Sequence, residues 1–368
     1  MKIGLGLYRE QLTDDNFRFA IQAGATHIVA HLTNYFGGRD PKIYGGRPSD
    51  GWGDCSGDHL WSYDDLAALV ATVRKAGLEL AAIENFSPRF WYDVLLGGPQ
   101  RDGQIAQLKQ LVRDAGRAGV PCIGYNFSIA GVYGWTRGPY ARGGAHSVGF
   151  GIDEAEIDAP IPDGMVWNMR YRPEMPDAGP VMLSNEDLWQ RLQHFLQELV
   201  PVAEAAGVVL AAHPDDPPAE TIRGTPRLVN RPEKYDRLMD LVPSRSNGLE
   251  LCLGSLQEMP GGDIYAHVRR FARSGRIGYI HFRNVRGKVP RYVETFVDEG
   301  DIDMAEIVRI LRDENFQGVM IPDHTPELTC AASWHAGKAF ALGYMRALVQ
   351  NADALGPSRS SATAAAAE

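Results

Sequence analysis

A chain of 368 residues, 44% hydrophobic and 23% charged, has the length of two average domains or one large α/β barrel and the composition of a globular protein with a sizeable core. Its formal net charge of -9 and its lack of any Lys/Arg cluster exclude a general nucleic-acid binder, whose phosphate affinity needs such clusters. Cys55, Cys122, Cys252 and Cys330 form neither a CxxC pair nor a disulfide framework, which fits a reducing cytoplasm, and the opening MKIGLGLYREQL meets charge too early for a signal peptide or a membrane span.

Taken in order, the chain alternates short apolar runs with helical periodicity. KIGLGL from Lys2 precedes a helix at 15–23, and HIVAHL from His27 precedes a Gly/Pro-rich loop at 33–58 and a helix at 63–76. ELAAIE from Glu79 leads to a helix at 102–118, and CIGYNF from Cys122 leads to a second long loop, 128–182, and a helix at 185–206. VVLAAH from Val208, LELCLG from Leu249, IGYIHF from Ile277 and GVMIPDH from Gly318 alternate with helices at 232–241, 266–274, 304–313 and 334–349. All eight runs are apolar through the middle, as strands buried on both faces must be. Eight βα units with no obvious GxGxxG fingerprint predict a closed (β/α)8 TIM barrel over 1–355, with a frayed tail over 356–368. Loops as long as 33–58 and 128–182 are expected to form a lid over the C-terminal mouth.

The last four strands each finish with a side chain able to bind a transition metal: His213 in HPDDPP, Cys252 in LCLGS, His281 in HFRN and Asp323 in DHTP. Consecutive strand ends of a barrel are neighbours on the rim that carries barrel chemistry, so these four are expected to converge on one cation. Taken singly, a His after a strand is usually a hydrogen-bonded loop residue and a strand Cys a small buried hydrophobe. Four on successive strand ends point instead to a shared divalent metal, Mn, Fe(II), Co or Zn before Mg or Ca.

Glu84, Tyr125 and Asn126 end the third and fourth strands and face either substrate or loop backbone. Arg283 and Asn284 follow His281, and Arg137 lies in the long loop; a guanidinium there suits a carboxylate clamp or a solvated ion pair. Asp215 and Asp216 suit either an outer shell orienting the histidines or the turn itself.

GGPQRDGQIAQLKQLVRDAGRAGVPCIGYNF, the WTR at Trp135–Arg137, HPDDPP, CLGS, HFRNVRG, EGDIDM and DHTP, in this order, resemble the mannonate dehydratase family from about Glu84 to the last helix. The resemblance implies an xylose-isomerase-like barrel dependent on Mn(II) or Fe(II) that converts D-mannonate to 2-keto-3-deoxy-D-gluconate and water. It also implies His213, Cys252, His281 and Asp323 as metal ligands and an acid–base role for His324. The family's Gly-Tyr pair before the final helix is missing from DHTPELTCAASWHAGKAF, where Trp334 and His335 stand instead. His335 or Tyr125 is then expected to supply the second acid–base group. The expected partner is a small-molecule sugar acid, with neither nucleic acid nor membrane, and the outer helices offer a route to a homo-oligomer. Sugar isomerisation or epimerisation on the same metal, and sugar-acid binding without turnover, are the alternative functions.

Overall fold

The computed structural model describes residues 1–35, 53–172, 183–356 and 358–359. Eight parallel strands close on themselves: β1 (Lys2–Tyr8), β2 (His27–His31), β3 (Glu79–Glu84), β4 (Cys122–Tyr125), β5 (Val209–Ala212), β6 (Asn247–Cys252), β7 (Ile277–His281) and β8 (Val319–Ile321). Each pairs with its neighbours in chain order, and β8 returns to β1 in the register Lys2↔Val319. The outer layer is α1 (Asp14–Gln22), α2 (Tyr63–Lys75), α3 (Arg101–Ala118), α4 (Asn185–Ala206), α5 (Lys234–Leu241), α6 (Ile264–Ser274), α7 (Met304–Asp313) and α8 (Ser333–Gln350). This is the (β/α)8 TIM barrel expected from the pattern of eight units.

The continuous apolar runs are explained by two separate cores. Inward residues such as Val29, Ala82, Cys122, Ala211, Tyr279 and Ile321 fill the barrel, while outward ones such as Leu5, Leu7, Ile83 and Leu251 pack beneath the helices. The helices contribute apolar stripes. In α4, Leu192, Phe195, Leu196 and Leu199 recur at helical spacing and are buried, and the helix starts with a capping box in which Ser184 and Asp187 satisfy each other's backbone amides. It stops at Gly207, whose φ of 68° is the left-handed conformation glycine adopts without strain.

Three expectations need correcting. The 128–182 stretch, read as loop, holds a hairpin of Trp135–Ala141 and Ala145–Gly151. A second hairpin, Asn284–Lys288 with Arg291–Thr295, joins it at Tyr292↔Phe150 to make a four-stranded antiparallel sheet over the mouth. Exposed positions and glycines interrupt the apolar pattern of these strands, so they lack the signal of the barrel staves. The run LELCLG does not stay extended to its end: β6 begins earlier, at Asn247, and stops at Cys252, whose sulfur caps the short helix Leu253–Glu258 by accepting from the Ser255 amide at 3.4 Å. Finally, two residues of the tail expected to fray are tied down, with the amides of Ser358 and Arg359 donating to Asp313 and Glu306 at 3.1 and 2.7 Å. Residues 357 and 360–368 of that tail, and residues 36–52 and 173–182 of the two lid loops, lie outside the described residues. Among the described residues no helix is long and apolar enough to cross a membrane.

Candidate active site

The barrel brings ionisable side chains together at its C-terminal mouth because strand register makes distant residues adjacent. Cys252 and His281 are direct partners across β6 and β7, and His213 follows the last residue of β5. His213, Cys252 and His281 each offer a ligand atom, all within 4.8 Å of one another. Asp323, two residues past β8, sets a carboxylate oxygen 3.3 Å from Nδ1 of His281. Glu84, Glu250 and His281 form a second such group deeper in the barrel, also within 4.8 Å.

The local hydrogen bonds fix which nitrogen each histidine offers. Nδ1 of His213 lies 2.7 Å from the Pro214 carbonyl, an acceptor only, so Nδ1 carries a proton and Nε2 is the nitrogen that can be bared for a cation. Nε2 of His281 sits 3.2 Å from Glu84, a carboxylate that holds a proton there, and 3.0 Å from Glu250. Its Nδ1 is buried without a hydrogen bond. That buried nitrogen, beside the Cys252 thiol and the Asp323 carboxylate, is placed to ligate a cation from a ring flanked from behind by Glu84 and Glu250. The donor set of two imidazoles, a thiolate and a carboxylate suits a divalent transition metal.

The electrostatics agree with that fit. Burial alone would raise the Cys252 thiol, but the Arg283 guanidinium, with Nη2 3.3 Å and Nε 3.4 Å from the sulfur, and the two imidazoles hold it well below its ordinary value. Glu84 and Glu250, crowded around one imidazole, split apart. Against its burial, Glu84 is held down at about 2 by His31 and His281, whereas burial and the Glu84 charge push Glu250 up to about 8. His213 is held up at about 9 by Glu250 and Cys252 despite its burial.

His324 lines the same cavity as His213, His281 and Asp323. Its Nδ1 is 2.8 Å from Glu294, on the lid sheet, and its Nε2 is 3.6 Å from the other oxygen of Asp323, while Trp135 meets the ring edge-on at 5.0 Å. Glu294 therefore sets the tautomer and aim of His324.

Several expected residues are placed elsewhere. Gly124 faces the barrel interior, where an added Cβ would meet Glu250 and the Tyr279 hydroxyl, so the alternation of a strand turns Tyr125 outward. There it packs on Trp91 and Phe195 and does not reach the cavity. His335, at the start of α8 outside the barrel, bonds Asn16 of α1 at 3.0 Å and meets Phe19 edge-on. Arg283 is buried and committed to Asp216, Glu258, Glu294, Asp323 and Cys252, so it is no substrate clamp but the centre of an ionic network beneath the site. Asn284 is also spent internally, its amide donating to the Val297 and Ile302 carbonyls at 3.1 and 2.9 Å. Asp215 anchors a turn by accepting from the amides of Leu228 and Val229 at 2.7 and 2.8 Å. The Arg137 side chain is largely exposed, 3.6 Å from Glu327.

Glu84 and Asn126 do line the cavity, as does Asp216, which reaches Arg283, the Ser255 hydroxyl and the Tyr292 hydroxyl. Asn126 is held by Trp167, whose Nε1 donates to it at 2.9 Å. Sequence reasoning missed Glu250, Glu294 and the wall made by Tyr8, His31 and Tyr35. Inward parity from Cys252 back to Glu250 carried a signal for the first, and His31 ends its strand just as Glu84 ends the next.

Comparison with known proteins bears on the same chemistry. The family model of D-mannonate dehydratase (UxuA) matches residues 50–354. A mannonate dehydratase of Streptococcus equi subsp. zooepidemicus (strain MGCS10565) is 35% identical over 277 residues, covering 72% of this chain and 74% of its own. The crystal structure of mannonate dehydratase from Streptococcus suis serotype 2 is similar with a TM-score of 0.75 at 28% identity, over 97% of both chains. A xylose isomerase domain protein from Planctomyces limnophilus, 13% identical with a TM-score of 0.54 over 96% of this chain and 98% of its own, shares the fold alone. With the family model spanning most of the barrel, this chain belongs to the D-mannonate dehydratase family of hydro-lyase enzymes.

Proposed function

We propose that the protein dehydrates D-mannonate to 2-keto-3-deoxy-D-gluconate at a centre where His213, Cys252, His281 and Asp323 hold one divalent cation, Mn(II) or Fe(II). The observation that carries this reading is the meeting of His213, Cys252 and His281 within 4.8 Å, at a cavity lined by His213, His281 and His324, in a chain of this family. A cation held there supplies Lewis-acid stabilisation of the negative charge that develops when a proton α to a carboxylate is removed. The other steps belong to side chains. A base takes the C2 proton, the freed electron pair forms the C2–C3 double bond, and the C3–O bond breaks as an acid protonates the leaving hydroxyl to water; the enol then becomes the 2-keto acid. His324, aimed by Glu294 and adjacent to Asp323, serves as the acid.

The experiment is incubation of Mn(II)- or Fe(II)-loaded protein with a panel of aldonates, read by mass spectrometry. Loss of one water from D-mannonate, with a semicarbazide-reactive keto product, is the expected outcome. Conversion to an isomer of unchanged mass would establish isomerisation or epimerisation instead, and binding without turnover a binding protein.

A further inference from the structure

Dehydration needs a proton acceptor besides the acid, and neither His335 nor Tyr125 reaches the cavity. His31 does. It ends β2, is buried, and sits beside Tyr8 through the register Tyr8↔His31, with ring centroids 4.7 Å apart. Its Nδ1 lies 3.6 Å from one oxygen of Glu84, whose other oxygen is 3.2 Å from Nε2 of His281. One carboxylate thus spans His31 and the metal-competent cluster. The position is built for the ring: a Cβ on residue 6 would stand 3.2 Å from Nε2 of His31 and 3.4 Å from Ile321, so glycine there leaves the room it occupies.

We infer that His31 is the second catalytic residue of this site, the base that takes the C2 proton of the sugar acid while the Glu84 carboxylate faces its Nδ1 at 3.6 Å. The inference rests on the dehydratase reading above. The C2–H bond breaks as an N–H bond forms at Nε2, the electron pair enters the C2–C3 bond, and the C3 hydroxyl leaves as water with the proton from His324; as the enol becomes the ketone, His31 gives its proton to C3 and the C2 hydroxyl proton returns to His324. Other groups on this wall are poorer acceptors. The Tyr8 and Tyr35 phenols are pushed up by burial and stay protonated, and Asp216 is engaged by Arg283, Ser255 and Tyr292. Burial also holds the His31 imidazole below its ordinary value, outweighing the pull of Glu84, so it is neutral and able to accept.

The test compares wild type, His31→Gln and Gly6→Ala, each loaded with Mn(II). For His31→Gln, kcat on D-mannonate should fall roughly 10²–10⁴-fold, with Mn(II) content unchanged and D-mannonate affinity by calorimetry within about threefold of wild type. Gly6→Ala keeps the imidazole but displaces it, and should lower kcat at least about tenfold with Mn(II) retained. It decides the matter if His31→Gln fails to fold. Turnover of His31→Gln within about threefold of wild type, or loss of Mn(II) in step with lost turnover, overturns the inference and leaves the dehydratase reading standing. Absence of water loss from any aldonate with wild type sinks both.

Discussion

Cys252 shows how much one residue can carry: it closes a barrel strand, caps a helix, contacts Arg283 and faces two imidazoles. Cys252→Ser offers a hydroxyl that does not ionise in place of a thiolate, so Mn(II) or Zn(II) affinity should drop by more than the roughly 10–100-fold typical of losing an outer partner, while far-UV circular dichroism stays that of the barrel. Equilibrium dialysis with metal analysis measures this, and undiminished affinity would remove the sulfur from the site. A pH prediction follows from His213. Without a cation, Glu250 and Cys252 hold it up at about 9, so at neutral pH it is protonated, and a cation must expel that proton to bind. Affinity should therefore rise with pH up to about 9, with net proton release seen by calorimetry in buffers of different ionisation enthalpy. His324→Asn should leave metal content alone and lower kcat roughly 10²–10⁴-fold. At this scale the cation-competent residues were legible because each ends a strand, and strand ends meet. Arg283 and Asn284 were not, because a sequence gives no sign that a polar side chain has already found its partners within the fold. Tyr125 and Asn126 were one position apart and indistinguishable until parity turned one outward and the other into the cavity.

Elements were legible where burial is two-sided. The eight staves and eight outer helices were foreseen with small shifts at their ends, since an apolar run between Gly-terminated helices has few other uses. The lid strands were hidden for different reasons: the first three residues of Trp135–Ala141 are at least partly exposed, while Ala145–Gly151 is mostly buried but carries His, Ser and two Gly among its seven residues. The capping grammar itself is testable. Ser184→Ala removes the acceptor for the Asp187 amide and leaves the first turn of α4 uncapped, which should cost about 1 kcal/mol in urea unfolding at unchanged m-value. Phe195→Ala in the same helix opens space against Trp91, Tyr125 and Phe127 and should cost about 3–5 kcal/mol.

For the whole molecule, closure was legible only as a count of eight units; the return of β8 to β1 is a long-range pairing that no local pattern contains. The mouth gathers buried acidic groups around the Arg283 guanidinium, so a cation that binds only the folded state should stabilise the entire barrel. Mn(II) at a hundredfold excess over its dissociation constant is expected to add about 2.7 kcal/mol, read as a rise in Tm that chelator reverses and Cys252→Ser lacks. The network around Arg283 also divides the rim into unequal halves. One guanidinium ties together the segments after β5, β6, β7 and β8 and the lid sheet, so a change in any of them is felt by all. The arc of Tyr8, His31 and Tyr35 contributes no partner to that guanidinium among the described ion pairs, and His31 reaches Glu84, which in turn reaches His281. Novelty in what the enzyme accepts can therefore accumulate at wall positions around His31 and Gly6, such as Tyr35, at little cost to the anchored side, and divergence within such enzymes should gather there.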